Sequence, residues 1–128
     1  MAADTQGWES SLSEAVIGSA FEVANVLGAG FLERVYHRAL ARELSLRGIR
    51  TDSHARFPVY YKGQHVGDYL PDLVADDRLI VEVTCVDRFA GEHAAQCINY
   101  LKASGLHLAL LINFQRPHLE WKRIAREL

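Results

Sequence analysis

Apolar residues recur at helical spacing from Ser13 onward, where Val16, Ile17, Ala20, Phe21, Ala24 and Leu27 form one stripe. Ser13 stands where an N-cap is expected, and the mostly polar residues 1–12 read as a flexible lead-in. Gly28-Ala29-Gly30 stops this helix and opens a second one, with Leu32, Val35, Tyr36, Ala39, Leu40 and Leu44 on one face and Gly48 ending it. The period then changes. Phe57, Val59 and Tyr61 alternate as a strand does, Lys62-Gly63-Gln64 reads as a hairpin turn, and a second strand follows from about His65 to Val74. Asp76-Asp77-Arg78 turns the chain into a third strand, from Leu79 to about Val86. A helix from about Ala90 to Ala103, closed by Gly105, leads to the apolar run Leu106 to Phe114, which predicts a buried central strand. The tail from Leu119 to Ile124 fits either a closing strand or a short helix. The order α-α-β-β-β-α-β predicts an α/β fold, a mixed central sheet flanked by helices, in a single domain over residues 1–128.

Two carboxylates interrupt the most apolar stretches. Asp72 follows Tyr69-Leu70-Pro71, and Glu82 sits inside Leu79-Ile80-Val81 and Val83. A three-residue turn at 76–78 puts Asp72 directly opposite Glu82 on one face of the sheet, whereas a two-residue turn puts them on opposite faces. Opposed like charges destabilise a sheet unless something positive lies between them. A Mg²⁺ ion, held by one or two carboxylates and by phosphate oxygens of a substrate, meets that need, and it lowers the pKa of a bound water. The competing reading has both carboxylates at exposed strand ends, paired with Arg78 or Arg88.

On the following helix, His93, Gln96 and Tyr100 share a face at i, i+3 and i+7. A Gln with a Tyr one turn later can orient a water or a metal ligand, or grip a phosphate; an ordinary half-exposed face is the alternative. Glu33 and Tyr36 stand at i and i+3 just after the glycine break, where a carboxylate also simply favours the helix dipole.

Charge narrows the function classes. The net charge of −2, from 14 basic and 16 acidic residues, excludes a protein that coats nucleic acid by bulk electrostatics. The basic residues are 11 Arg against 3 Lys, which permits bidentate phosphate contacts without requiring them. With 49% hydrophobic residues the chain can bury a real core. Cys85 and Cys97 lack metal-site spacing and read as buried free thiols of a reducing compartment. Neither a membrane span nor a secretory leader is readable, so a cytoplasmic location and no membrane partner are expected.

The segment Gly30-Phe31-Leu32-Glu33-Arg34-Val35-Tyr36, followed by Ala39-Leu40, resembles the motif that names the GxxExxY proteins. The stretch His93, Gln96, Asn99, Tyr100, Leu101, Lys102 and Gly105 through Leu111-Ile112-Asn113-Phe114 is similar to them as well, as is the ending around Lys122-Arg123, so the resemblance covers roughly residues 13 to 126. These proteins are grouped with the PD-(D/E)xK nuclease-like superfamily. The resemblance therefore implies a restriction-endonuclease-like α-β-β-β-α-β core preceded by an extra N-terminal helix.

It also implies residue roles. Asp72 matches the metal-binding aspartate, Glu82 the glutamate of the E-x-K element, and Glu33 the helix-borne acid. The Val83 carbonyl becomes a further metal ligand, and Gln96 and Tyr100 resemble the Q-x-x-x-Y element of the RecB-like branch. The implied activity is a Mg²⁺- or Mn²⁺-dependent deoxyribonuclease, with Tyr36, Arg88, His93 and Lys102 as candidate contacts to DNA.

One position departs from the pattern. Thr84 stands where the family has the lysine that positions the attacking water and stabilises charge on the phosphorane. Thr can hydrogen-bond but carries no cation. Of the candidate replacements Lys62, Lys102, Lys122 and Arg88, none is aimed at the acidic pair by sequence; Lys102, six residues after Gln96, lies about 120° around the helix from it. The alternative function is thus a catalytically inactive nuclease-fold module for nucleic-acid or protein binding, with a homodimer or a partner protein completing its surface.

Overall fold

The computed structural model describes residues 2–115 and 118–126, with side chains from residue 7 onward. The first helix, α1, spans Ala2–Leu27 and so begins well before Ser13. Ser13 does not cap it: the residue lies mid-helix, buried, with its hydroxyl unpartnered. The apolar stripe that packs α1 onto the core extends forward through Leu12 to Trp8, whose ring lies under the Arg78 guanidinium at 5.1 Å. Gly28 and Gly30, at φ 73° and 109°, reverse the chain into α2, Glu33–Leu46. Tyr36, Leu40 and Leu44, one turn apart, form the buried face of α2.

Among the described residues seven strands follow, in two sheets. The main sheet contains β1 (Thr51–Asp52), β4 (Leu73–Ala75), β5 (Leu79–Thr84), β6 (Leu108–Asn113) and β7 (Glu120–Ala125), in the order β1-β4-β5-β6-β7. Only β5 and β6 run parallel, joined across α3, Gly91–Ser104; the other neighbours are antiparallel. The remaining strands, β2 (Phe57–Tyr61) and β3 (Gln64–Tyr69), make a separate hairpin whose turn, Lys62-Gly63, has both residues at positive φ.

The strand expected from His65 to Val74 is therefore two strands in two sheets. Pro71 lacks an N–H and is buried at the break, where it ends one ladder before Leu73 begins the other. The tail is a closing strand, and all six residues of β6 are buried, as an interior parallel strand demands.

The sheet divides the core by residue parity. Leu73, Ala75, Leu79, Val81 and Val83 pack under α1 and α2, while Val74, Ile80 and Leu111 pack under α3 with Cys97, Tyr100 and Leu101. Glu82 and Thr84, in the register of Ile80, consequently belong to the α3 face. This is the mixed α/β architecture of a restriction-endonuclease-like core with an added N-terminal helix. Among the described residues no helix is long and apolar enough to cross a membrane.

Candidate active site

The β4–β5 ladder pairs Leu73 with Val81 and Ala75 with Leu79, which brings Asp72 opposite Glu82 on the α3 face. The turn has the three residues this register needs. Asp76 and Asp77 adopt left-handed φ of 49° and 58°, and the Arg78 N–H closes on the Ala75 carbonyl at 3.0 Å. Asp77 pairs with Arg50, and Asp76 Oδ1 accepts the Arg50 N–H at 3.2 Å, so the turn is tied to the start of β1.

Neither carboxylate of the pair is neutralised by a side-chain cation among the described residues. Arg78 instead covers Trp8, and Arg88 is exposed in the loop after β5. Asp72 Oδ2 accepts the Val83 N–H at 2.7 Å, and Glu82 Oε2 accepts the Asp72 N–H at a long 3.4 Å. Glu82 Oε1 is buried with no hydrogen-bond partner. Burial first, then a hydrogen bond to the Asp72 carboxyl and its charge, push Glu82 up to about 9. A proton is held where two carboxyl groups face each other.

On α3, Gln96 Nε2 donates to the Tyr100 hydroxyl at 3.3 Å, as their spacing predicts. The Tyr100 hydroxyl in turn points to the Leu70 carbonyl at 3.5 Å and, by its hydrogen bond, counters the rise at Glu82. Its ring meets Tyr69 edge-on at 5.1 Å, which fixes it over the Pro71 break. Burial and the Glu82 charge push Tyr100 up to about 12, so it stays protonated and acts as a donor. Burial likewise pushes Cys97 up to about 12 and raises Cys85; both are free thiols, and Cys97 is fully buried.

Glu33 reaches the site from α2. Burial and the Asp72 charge raise its pKa, while a backbone hydrogen bond from Cys85 and the nearby His37 lower it. Its placement depends on Tyr36. That ring is buried, stacked on Phe114 at 4.7 Å, with its hydroxyl donating to the Gly28 carbonyl at 2.6 Å and accepting the Phe31 N–H at 3.1 Å. Tyr36 thus clamps the glycine loop that aims Glu33, and its burial removes it from any contact with DNA.

His93 is also used locally: its Nδ1 accepts the Ala90 N–H at 2.9 Å and caps α3. Lys102 is exposed and lines a cavity with Tyr60, Tyr69 and Asn99, a lining that includes neither Asp72 nor Glu82. Lys62 stacks on Tyr61 at the hairpin tip, and Lys122 lies on edge strand β7, two strands from Glu82. Thr84 is half-buried two residues beyond Glu82, and none of these lysines is brought to it. Because the Thr84 carbonyl accepts the Phe114 N–H at 3.0 Å, on the β6 side, the neighbouring Val83 carbonyl leaves the strand on the Asp72 side, like its own N–H.

Sequence reasoning missed two features. Asn113, fully buried at the end of β6, holds Val86 through its N–H at 3.0 Å and its carbonyl at 2.6 Å, and so positions the chain leaving β5. A lone Asn inside the apolar run Leu106–Phe114 was the signal. The other is the set of arginines on α2, at positions 34, 38 and 42.

The donor set at the pair is all oxygen: two carboxyl groups and one carbonyl. Among the described residues no three His, Cys, Asp or Glu groups form a complete cage. A hard cation that keeps its waters does not need one. The orphaned Glu82 Oε1 and, among the described residues, the absence of a cationic partner fit a Mg²⁺-type ion.

The crystal structure of SSO0001 superposes with a TM-score of 0.60 at 16% identity, covering 94% of this chain and 60% of that one. The chain thus spans about 60% of that protein's length, and the likeness is one of fold. An alkaline exonuclease (LHK-Exo) from Laribacter hongkongensis matches at a TM-score of 0.49 and 14% identity, covering 90% of this chain and 82% of that one. No curated protein sequence matches the chain. The sequence profile of the PD-(D/E)XK nuclease superfamily matches residues 10–124, and with nearly its whole length covered the chain belongs to that superfamily.

Proposed function

We propose that the chain is a divalent-metal-dependent deoxyribonuclease of the GxxExxY group, in the RecB-like branch, with a degenerate E-x-K element. One observation carries this reading: among the described residues the two opposed carboxyl groups lack a cationic partner, and one of their oxygens is buried and unpaired. Asp72, Glu82 and the Val83 carbonyl would hold Mg²⁺ or Mn²⁺. Such an ion, when bound, polarises a phosphate and makes a hydroxide available from water near neutral pH. Tyr100, kept protonated, donates a hydrogen bond to a phosphate or water oxygen, and Gln96 fixes the direction of that hydroxyl. Glu33, exposed at the rim, accepts a hydrogen bond from a water on the open side. Thr84 orients but does not neutralise, so charge building on the phosphorane meets one cation fewer than in the family pattern.

The same vacancy of charge at Thr84 favours a second reading, an inactive nuclease-fold module that keeps the acidic pair for binding. Cleavage of linear, circular and single-stranded DNA in Mg²⁺ or Mn²⁺ separates the two. The nuclease reading expects cutting by the wild-type protein that is lost in Asp72→Ala. Equal residual cutting by both, or none on any substrate, favours the inactive module.

A further inference from the structure

The exposed side of α2 carries Arg34, Arg38 and Arg42 at i, i+4 and i+8, a stripe about 12 Å long on one face of the helix. Among the described residues none of the three is paired with a carboxylate. Other arginines are spent within the fold: Arg47 on Glu43, Arg50 on Asp77, Arg56 on Asp68 and Arg123 on Glu9. In a chain of net charge −2, three adjacent free guanidinium groups are a strong local exception.

The stripe opens into a cavity of about 470 Å³ whose lining includes Arg34, His37, Arg38, Ser53 and His54. Every polar group in that set can donate to a phosphate oxygen; none is acidic. Two observations relate the cavity to the acidic pair. Arg34 follows Glu33, which feels the charges of both Asp72 and His37. The β1–β4 ladder, which pairs Asp52 with Val74, carries Ser53 and His54 towards the Asp72 end of β4.

We propose that Arg34, Arg38 and Arg42, with the cavity at His37 and His54, carry the phosphate backbone of the DNA strand presented to the acidic pair. This rests on the nuclease-fold reading above and adds to it the path of the strand: along α2, parallel to its axis, entering the site past Glu33. Guanidinium groups spaced about 6 Å apart along the helix meet successive backbone phosphates as separate contacts. Binding of this kind is sequence-independent and salt-dependent.

The test is an anisotropy titration of labelled single-stranded and duplex DNA in EDTA, over a series of salt concentrations. It compares the wild-type protein with Arg34→Ala/Arg38→Ala/Arg42→Ala, and with Arg47→Ala/Arg56→Ala/Arg123→Ala as a variant of matched charge. The proposal expects the stripe variant to bind at least about tenfold more weakly and its salt slope to drop by about 2 to 3, with the matched variant close to wild type. Circular dichroism confirms that each variant is folded. Equal affinity and slope in the stripe variant, an equal loss in the matched variant, or no binding by the wild-type protein would each overturn it. Cleavage in Mg²⁺ is read separately with Asp72→Ala, so failure of the stripe leaves a distinct signature from failure of the metal site.

Discussion

Burial and the Asp72 charge act in the same direction on the Glu82 carboxyl, and together they hold a proton there up to about pH 9. An unfolded chain releases that proton near the ordinary value of 4.5. The group's contribution to stability is therefore fully present below about 4.5 and is lost as pH rises through the window up to about 9. Metal-free protein is expected to melt at progressively lower temperature from about pH 5 to about pH 9, read by scanning fluorimetry. Glu82→Gln, which keeps the shape and removes the titration, should flatten that fall and raise the melting temperature at pH 8. A wild-type melting temperature that is flat across the window would mean the carboxyl is solvated and the geometry of the pair is wrong. Excess Mn²⁺ at pH 8 should restore the wild-type value, because binding to the folded state alone adds stability.

The elements set that geometry through a count of turn residues. The turn Asp76-Asp77-Arg78 puts Asp72 and Glu82 on one face; removing Asp77 shifts β4 by one residue and flips each of its side chains. Leu73 and Ala75 then face α3, and Asp72 faces the apolar layer under α1 and α2. The deletion variant is expected to lose cooperative thermal unfolding, whereas a sharp, wild-type-like transition would show that the register tolerates a slip. The facing pair was legible in the sequence only for a three-residue turn, because alternation fixes parity along a strand, and the turn length itself was left open. α2 and α3 were legible for a similar reason, since each has one uninterrupted period, and β6 was legible because its apolar run is continuous. The split between β3 and β4 was not, because the apolar residues run on across it from Tyr69 to Ala75 and only Pro71 marks the change of sheet. The start of α1 was misplaced because Leu12 and Trp8 continue its stripe through polar neighbours. Tyr36 read as a surface candidate since its spacing from Glu33 reveals a shared face but not that the ring turns inward to clamp Gly28.

At the scale of the whole molecule, the two helical layers contribute different chemistry to one site. α2 brings Glu33 and a row of cations, and α3 brings a neutral donor pair, with the acidic pair on the sheet between them. Charge of the sign that a phosphorane needs is thus present at the rim, on α2, but not at Thr84 inside. If that substitution is the sole defect, Thr84→Lys should raise Mg²⁺-dependent cleavage by on the order of 10²-fold or more over wild type, measured on linear duplex DNA. An unchanged rate would show that more than the lysine has been lost.

Calorimetric titration of Mn²⁺ at pH 7 in two buffers of different ionisation enthalpy tests most directly whether the acidic pair exchanges its proton for a metal ion. Binding is expected with release of about one proton per ion, with no proton release in Glu82→Gln and no binding in Asp72→Ala. Binding that releases no proton, or that persists unchanged in Asp72→Ala, would contradict it.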